Sequence, residues 1–452
     1  LGGGFEPGPQ DWDRVRQALL ALHNRAGKGG RKRFVMYDPE ENDLLLRALG
    51  GRFHFPRDRA TGAINGTWVA AKRVSGIFCV DHETDMLTAE GWRRFDQLVK
   101  GQLVIAYRAD GKLQEVPLEG VSVFEGLHRG LAFESASLNM WLTPEHRCVV
   151  HRRVCRPGRP ALFLPEIRRA DALTSADYIV RAGTVTRRPT LSDDFVRLCA
   201  WIASEGHYKE GNSITVVQSP EANGPYCQAL DELAARLPEM SRRPTQPTRL
   251  AVWSVTGDLA CLVRLLMPEK VPGPALWRRL SRHQLGLFLY EMARGDGHWA
   301  NRADHPLPDP PTKFWRSWGN FFWNSTVRIH QSREEVIDAL QVMAALAGLA
   351  GTKRGPDAQG RWGLSLSAHR HRSCVGRLRK HMETAPWVWC PQVVTGAWVA
   401  RRHGHVFVTG NSHMVDALGY GVGVLYPPED WVQKPPQRPS RPEVAPRTWM
   451  GR

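Results

Sequence analysis

The dipeptide Asn411-Ser412 lies in the stretch Val406-Phe-Val-Thr-Gly-Asn-Ser-His413. An asparagine amide can attack its own carbonyl carbon, closing a succinimide and breaking the peptide bond that follows, and the next residue's hydroxyl can carry an acyl group. Such a pair is a place where a backbone can be cut and rejoined, although Asn-Ser is also ordinary turn material. Two other stretches each end an apolar, small-residue helical run in an acid followed by glycine. They are Leu198-Cys-Ala-Trp-Ile-Ala-Ser-Glu-Gly206 and Leu285-Gly-Leu-Phe-Leu-Tyr-Glu-Met-Ala-Arg-Gly-Asp-Gly297. His146, Cys148, His151 and Cys155 have ligand chemistry but no familiar structural zinc spacing.

The elements that must hold these residues change character along the chain. A Gly-rich opening is followed by helical periodicity at residues 11–23, a short strand at 33–36, a helix near 42–49 and a strand at 52–55. From Cys79 the pattern is strand-rich, through Gln102-Leu-Val-Ile-Ala-Tyr107, Leu118 to Val123 and Trp141-Leu142. Residues near 195–380 switch to helical periodicity, with a strand at Trp323-Asn-Ser-Thr-Val-Arg-Ile-His330 and a helix from Glu334 to Leu349. The Trp315, Trp318 and Trp323 cluster reads as core. Strand character returns at Trp387-Val-Trp-Cys-Pro391, Ala397-Trp-Val-Ala400 and His405-Val-Phe-Val-Thr409, before a Pro- and Arg-rich tail over 421–452.

The 452 residues suit two or three domains, and 42% apolar content is enough for real cores. A net charge of +16 built on Arg pairs such as Arg242-Arg243 and Arg278-Arg279 favours a polyanion, most simply DNA. Eight cysteines without paired spacing read as reduced cytosolic thiols, which suits a cytoplasmic chain. No apolar run reaches the roughly 18 residues of a membrane span. The opening Leu1 implies a preceding segment.

The stretch Cys79-Val-Asp-His-Glu-Thr-Asp-Met-Leu-Thr-Ala-Glu-Gly-Trp-Arg-Arg-Phe-Asp-Gln-Leu98 resembles the first block of inteins, the self-splicing protein insertions. Thr143-Pro-Glu-His146 resembles their second block, and the strands at 387–391, 397–400 and 405–409 their closing blocks. The resemblance implies an all-β, horseshoe-like Hint splicing domain whose insertion runs from Cys79 to Asn411. It also implies the roles. Cys79 forms a thioester with Phe78, assisted by Thr143 and His146; Ser412 takes the acyl group; Asn411 cyclises; and Cys390 assists the branched intermediate, with no cofactor. Gly410 departs from the family, where histidine is usual, so His403 or His405 is the candidate proton relay.

The two acid-ended helices resemble the paired helices of LAGLIDADG (DOD-type) homing endonucleases, with Lys270-Val-Pro272 resembling the family's Lys-x-Pro motif. Ala200, Ala203, Gly286 and Ala293 would let the helices approach closely, and Gly206 and Gly297 would permit the C-terminal turns. The resemblance implies an α+β domain in which Glu205 and Asp296 bind Mg²⁺ beside Lys270 and cut double-stranded DNA. The insertion is expected to be monomeric.

Asp38-Pro39, the run Arg47-Ala-Leu-Gly-Gly51 and Ser412-His-Met-Val-Asp-Ala-Leu-Gly-Tyr420 resemble the C-terminal nuclease part of a phage large terminase subunit, an α/β ribonuclease-H-like fold in which Asp416 would be a metal ligand. The expected layout is a mixed one. It comprises a host fragment over 1–78, the Hint N-terminal part over 79–190, the endonuclease over 191–380, the Hint C-terminal part over 381–411 and a host fragment with tail over 412–452. The alternatives are a packaging nuclease with a non-splicing DNA-binding insertion, and a degenerate intein whose nuclease is dead.

Overall fold

Apolar residues alternating at period two dominate both ends of residues 79–410, and a 3.6-residue period dominates their middle; the chain accordingly builds a sheet-rich frame around a helical block. The computed structural model describes residues 79–410 except 157–158, 245–249, 300–326 and 368–371, together with strands β1 (Phe53–His54) and β2 (Val69–Ala70). The chain divides into a unit from Gly76 to Ser412 and another made of Leu1–Ser75 with His413–Arg452. In the latter, β1 and β2 pair antiparallel with Phe53 opposite Ala70. The expected junction residues Phe78, Asn411 and Ser412, the terminase-like Asp416 and the Trp315–Trp323 cluster lie outside the described residues.

The first sheet-rich part runs through β3 (Val80–Asp81), β4 (Thr84–Thr88), β5 (Gly91–Arg93), β6 (Leu103–Tyr107), β7 (Lys112–Pro117), β8 (Gly120–Glu134), β9 (Asn139–Leu142), β10 (Arg147–Arg156), β11 (Arg159–Arg169), β12 (Asp177–Val180) and β13 (Thr184–Val185). The middle block is two copies of one pattern. The first is helix α1 (Asp193–Glu205), β14 (Gly206–Tyr208), β15 (Ile214–Gln218), α2 (Pro220–Arg236), β16 (Met240–Arg242) and β17 (Ala251–Val255). Helices α3 (Gly257–Leu266) and α4 (Pro274–Trp277) lead to the second copy: α5 (Arg282–Asp296), β18 (Gly297–Trp299), β19 (Val327–Gln331), α6 (Glu334–Ala347), β20 (Ala350–Arg354) and β21 (Trp362–Ser367). The chain closes with β22 (Arg372–Cys374), β23 (Arg379–Gln392), β24 (Ala397–Arg402) and β25 (His405–Gly410).

The two copies share strand order and register. The first sheet runs β14-β15-β17-β16, and the second copy repeats it as β18-β19-β21-β20. Gly206 pairs with Val216 as Gly297 pairs with Ile329, and Arg242 pairs with Trp253 as Lys353 pairs with Leu364. Both helices that open a copy start at a serine cap. Ser192 Oγ accepts from Phe195 N, and Ser281 forms a reciprocal capping box with Gln284.

The frame returns the end of the chain to its beginning. β23 pairs along β8 and crosses to β3, and β23, β3, β9 and β8 close a barrel. β24 pairs with β25, with β4 and at one position with β6, while β25 also meets β10 at Thr409 and β20 at His405. One apolar core runs across the expected boundary between the strand-rich and helical parts: Leu87, Ile105, Val399 and Val408 belong to the same cluster as Trp201, Phe288 and Leu340. The expected endonuclease limit at residue 380 falls inside β23, and β22 already pairs with β12 at Tyr178–Cys374. Among the described residues no helix is long and apolar enough to cross a membrane.

Candidate active sites

Cys79 is fully buried and directly precedes β3. Its amide nitrogen donates to Thr143 Oγ1 at 3.0 Å, and its carbonyl accepts from Thr143 N at 3.1 Å, so Thr143 holds the backbone of Cys79 on both sides of its α-carbon. Two residues on, the Asp81 carboxylate takes Arg402 Nε at 2.7 Å and the Thr84 hydroxyl at 2.6 Å, and its carbonyl accepts Trp389 Nε1 at 2.8 Å. These buried bonds pin β3 to β24 and β23, which fixes the position of Cys79. Burial outweighs the Arg402 charge at Asp81 and holds its carboxyl above the usual range.

Cys79 faces Cys390. Val80 pairs with Trp389 and Asp81 with Val388, a register that sets Cys79 opposite Cys390, and the two thiols hydrogen-bond. Burial, then the Cys390 thiol, pushes the Cys79 thiol well above its ordinary value, so it reaches nucleophilic strength only as its proton leaves.

His146 sits three residues after Thr143, in a turn closed by His146 N donating to the Thr143 carbonyl at 2.9 Å. Its Nε2 lies 2.5 Å from Thr409 Oγ1, and the ring is buried. A run of contacts therefore joins the Cys79 backbone, Thr143, His146 and Thr409 on the last strand, two positions before Asn411. Thr143 thus touches the nitrogen of Cys79, and the His146 ring touches the C-terminal strand.

The packing explains the glycine at position 410. A Cβ there would meet the Arg147 carbonyl oxygen at 2.5 Å, while the Gly410 carbonyl accepts from Trp398 Nε1 at 3.2 Å. The expected relays do not fit. His405 opens β25 and Gly410 ends it, a span of roughly 16 Å at the usual strand rise. His403 Nε2 lies 3.0 Å from Glu83 Oε2, and His405 Nδ1 donates to the His403 carbonyl at 2.9 Å. Burial and then Arg181 depress His405 to about 4, so it is uncharged at neutral pH. His405→Gln is expected to leave the rate of release at Asn411 within about twofold of wild type, measured by gel densitometry; a tenfold loss would restore His405 as a relay.

The ligand-type residues on β10 do not converge. Cys148 and His151 are three apart on a strand and point to opposite faces, and Cys155 is exposed. Among the described residues no group of three or more His, Cys, Asp or Glu side chains is placed to hold a metal ion.

In the helical block, α1 packs along α5. The helices come closest where glycine leaves room: a Cβ on Gly295 would meet Ser204 Cβ at 2.8 Å and its Oγ at 2.6 Å. The next residue of each helix is its terminal acid, Glu205 or Asp296. The glycines that follow are required for a different reason from the expected left-handed turn. Gly206 and Gly297 are extended, with φ of −79° and −98°, but a Cβ would meet the Ile202 carbonyl oxygen at 2.5 Å and that of Ala293 at 2.1 Å.

The acids occupy equivalent places and have equivalent partners. Gln218, the last residue of β15, hydrogen-bonds Glu205, and Gln331, the last residue of β19, donates to Asp296 Oδ2. Both carboxyls are shifted upward. Burial is the larger cause at each; Glu205 adds to it at Asp296, whose value reaches about 7. Lys270 lies near both carboxylates, and its ammonium is depressed by burial against their opposing pull. Glu269 and Lys270 have φ of 53° and 66°, left-handed conformations that non-glycine residues adopt at a cost of about 1–3 kcal/mol, maintained only where the surroundings impose them. Here Arg333 Nη1 donates to the Glu269 carbonyl at 2.6 Å, and Tyr208 Oη to the Met267 carbonyl at 2.6 Å.

No protein-family model matches the chain, and no curated protein does. Among solved structures, part of the chain resembles LAGLIDADG-type endonuclease domains of mixed α/β fold. Mesophilic variants of the homing endonuclease I-DmoI are 10% identical, covering 40% of this chain and 90% of that one at a TM-score of 0.27. I-DmoI in complex with DNA and Mn is likewise 10% identical, covering 40% and 92% at 0.27. The N-terminal LAGLIDADG domain of DUF199/WhiA is 10% identical, covering 41% and 82% at 0.25.

The geometry thus brings Glu205, Lys270 and Asp296 into one cluster, and Cys79, Thr143, His146 and Cys390 into another. Gln218 and Gln331 escaped the sequence reading. Their signal is a repeated strand ending, Ile214-Thr-Val-Val-Gln-Ser219 and Val327-Arg-Ile-His-Gln-Ser332. Asp81 and Arg402 were also missed, because an ion pair 321 positions apart leaves no local pattern.

Proposed function

We propose that residues 79–411 are an intein that excises itself and joins Phe78 to Ser412, and that its helical block is a LAGLIDADG-type homing endonuclease acting on double-stranded DNA. The flanks are then host fragments of a phage terminase large subunit, with Asp416 in its nuclease site. The observation that carries the splicing reading is the line of contacts from the Cys79 backbone through Thr143 and His146 to Thr409, which sets the two ends of the insertion side by side.

In this reading the Cys79 sulfur attacks the Phe78 carbonyl as its proton passes toward the departing amide nitrogen, which Thr143 Oγ1 holds. The acyl group moves from sulfur to the Ser412 hydroxyl, Asn411 cyclises and releases the insertion, and the ester between Phe78 and Ser412 shifts to the free amine. Every step exchanges one acyl bond for another, so no external energy is required. The imidazole that reaches the C-terminal strand is that of His146, which takes the place of the histidine missing at position 410. Cys390 stands against the attacking sulfur and supports the branched intermediate.

For the nuclease, Glu205 and Asp296 offer the hard oxygen donors that Mg²⁺ prefers; burial raises both carboxyls and the Glu205 charge adds to it at Asp296, so a bound cation would offset the cost of ionising them there. Mg²⁺ bound there would acidify a water and stabilise the leaving oxygen of a phosphodiester. Gln218 and Gln331 orient the carboxylates, and Lys270 supplies a positive charge beside them.

The test is incubation of the purified chain with DNA encoding the uninterrupted Phe78–Ser412 junction. Site-specific double-strand cleavage is expected in Mg²⁺ and none in EDTA. Cleavage that persists in EDTA, or none under either condition at several protein concentrations, contradicts the nuclease reading.

A further inference from the structure

Each four-stranded sheet of the helical block has one face against the helices and one turned away from them. In the first sheet Ile214, Val216, Trp253 and Val255 enter the core, leaving Thr215, Val217, Val252, Ser254, Ser241 and Arg243 on the other face. In the second, Val327, Ile329, Leu364 and Leu366 enter the core, leaving Arg328, His330, Gly363, Ser365, Thr352 and Arg354. The shared register puts these residues in two equivalent rows. Nearer the acids, Val217, Val252 and Arg243 correspond to His330, Gly363 and Arg354. Farther out, Thr215, Ser254 and Ser241 correspond to Arg328, Ser365 and Thr352.

The rows share an arginine and a hydroxyl frame but differ at their centres. In the first sheet Val217 and Val252 stand side by side, partly exposed, and Arg243 Nε folds onto Ser254 Oγ at 2.5 Å, covering the outer row, where Thr215 is only 3% exposed. In the second sheet Arg354 turns the other way, to the Ala136 carbonyl at 3.2 Å. That leaves Arg328 exposed and without an ionic or hydrogen-bond partner among the described residues. Arg328 opens into a concavity of about 300 Å³ lined also by His330, Arg354, Ser365 and the ion pair of Arg361 with Asp357. His330 lies over Gly363, where a Cβ would meet its ring at 3.6 Å, so its imidazole takes the space that a valine fills in the first sheet.

Resting on the endonuclease reading, we infer that the DNA target is asymmetric in a defined way: the half over the second sheet carries a guanine read by Arg328, and the half over the first carries a thymine whose methyl packs on Val217 and Val252. A free guanidinium pairs with guanine O6 and N7 in the major groove, whereas an apolar pair without a donor suits the thymine methyl. Arg243 and Arg354, at matching places in both sheets, contact phosphate and carry no sequence information.

The test is selection of a randomised duplex pool by the full chain in an Asp296→Asn background at fixed salt, compared with the same chain carrying Arg328→Ala, Arg328→Lys or Val217→Ser. The parent is expected to enrich a non-palindromic site. Arg328→Ala should erase one guanine preference and lower affinity for the parent site about tenfold to a hundredfold. Arg328→Lys should keep overall affinity for bulk DNA yet weaken that preference, since a point charge lacks the bidentate fork. Val217→Ser should act only in the other half. A palindromic consensus, or an unchanged consensus with Arg328→Ala, overturns the inference while leaving the endonuclease reading intact. Enrichment of no sequence at all overturns both.

Discussion

Cys79→Ala is expected to abolish ligation of Phe78 to Ser412 outright, because alanine offers no sulfur to take the acyl group from Phe78. Cys390 is the closest rival. It faces Cys79 across the β3–β23 register, but its thiol is on the opposite strand and is itself buried. Cleavage after Asn411 is expected to continue slowly in this variant, since cyclisation uses only the asparagine side chain and the carbonyl beside it. The substitution removes one atom from a tightly packed site and leaves the Thr143 bonds to the Cys79 backbone in place, so the fold should persist. Intact-mass measurement after overnight expression reads both outcomes. Ligated product from the Cys79→Ala chain would remove Cys79 from the mechanism and, with it, the left-hand boundary of the insertion.

Asp296→Asn is expected to reduce Mg²⁺-dependent cleavage of the uninterrupted junction DNA by about a hundredfold to a thousandfold, the scale seen when one group that stabilises a transition state is lost. The near-isosteric change matters, because the apolar core joins Leu87 and Val408 of the strand-rich part to Phe288 of α5, and a cavity-forming substitution there would disturb both parts. Splicing should therefore proceed at the wild-type rate. The same variant has a stability signature. The Asp296 carboxyl is raised to about 7 in the fold, against 3.8 as its ordinary value, so the folded state binds its proton more tightly than the unfolded chain does. Its contribution without metal is fully present below about pH 4 and is lost as pH rises through 7. The thermal midpoint of the wild type relative to Asp296→Asn should thus fall across that window, and Mg²⁺ should recover it above pH 7. A pH-independent difference would show that Asp296 is not the strained acid described here.

The residue types that do chemistry were legible because their motifs are short and local. Thr143 and His146 are three positions apart, and each acid closes its own helix, with Gly206 or Gly297 behind it. Strands with clean alternation were legible too: the reading at 102–107 meets β6, and those at 397–400 and 405–409 meet β24 and β25. The reading at 118–123 starts in the gap after β7 and covers the beginning of β8. The long hairpin of β10 and β11 is not legible as strand, because its arginines hide an alternation whose inward face is carried by few residues, Cys148 and Val150 among them. What no local pattern could reveal is pairing across the insertion. Arg402 reaching Asp81, Thr409 reaching His146 and Gly410 lying against Arg147 all join residues separated by most of the chain. The reason for the glycine at 410, which looks like a missing catalytic histidine in sequence, emerges only from that contact.

The central claim is that the chain cuts and rejoins itself at two defined bonds, and intact-mass spectrometry of the purified full-length product tests it most directly. The account predicts two new species: the free insertion from Cys79 to Asn411, ending in a C-terminal succinimide or its hydrolysis product, and a shorter chain in which residue 78 is joined by a normal peptide bond to residue 412. Tandem spectra across that joint should read Phe-Ser. A single species at the mass of the uncut chain, unchanged after prolonged incubation under reducing conditions, would contradict the account.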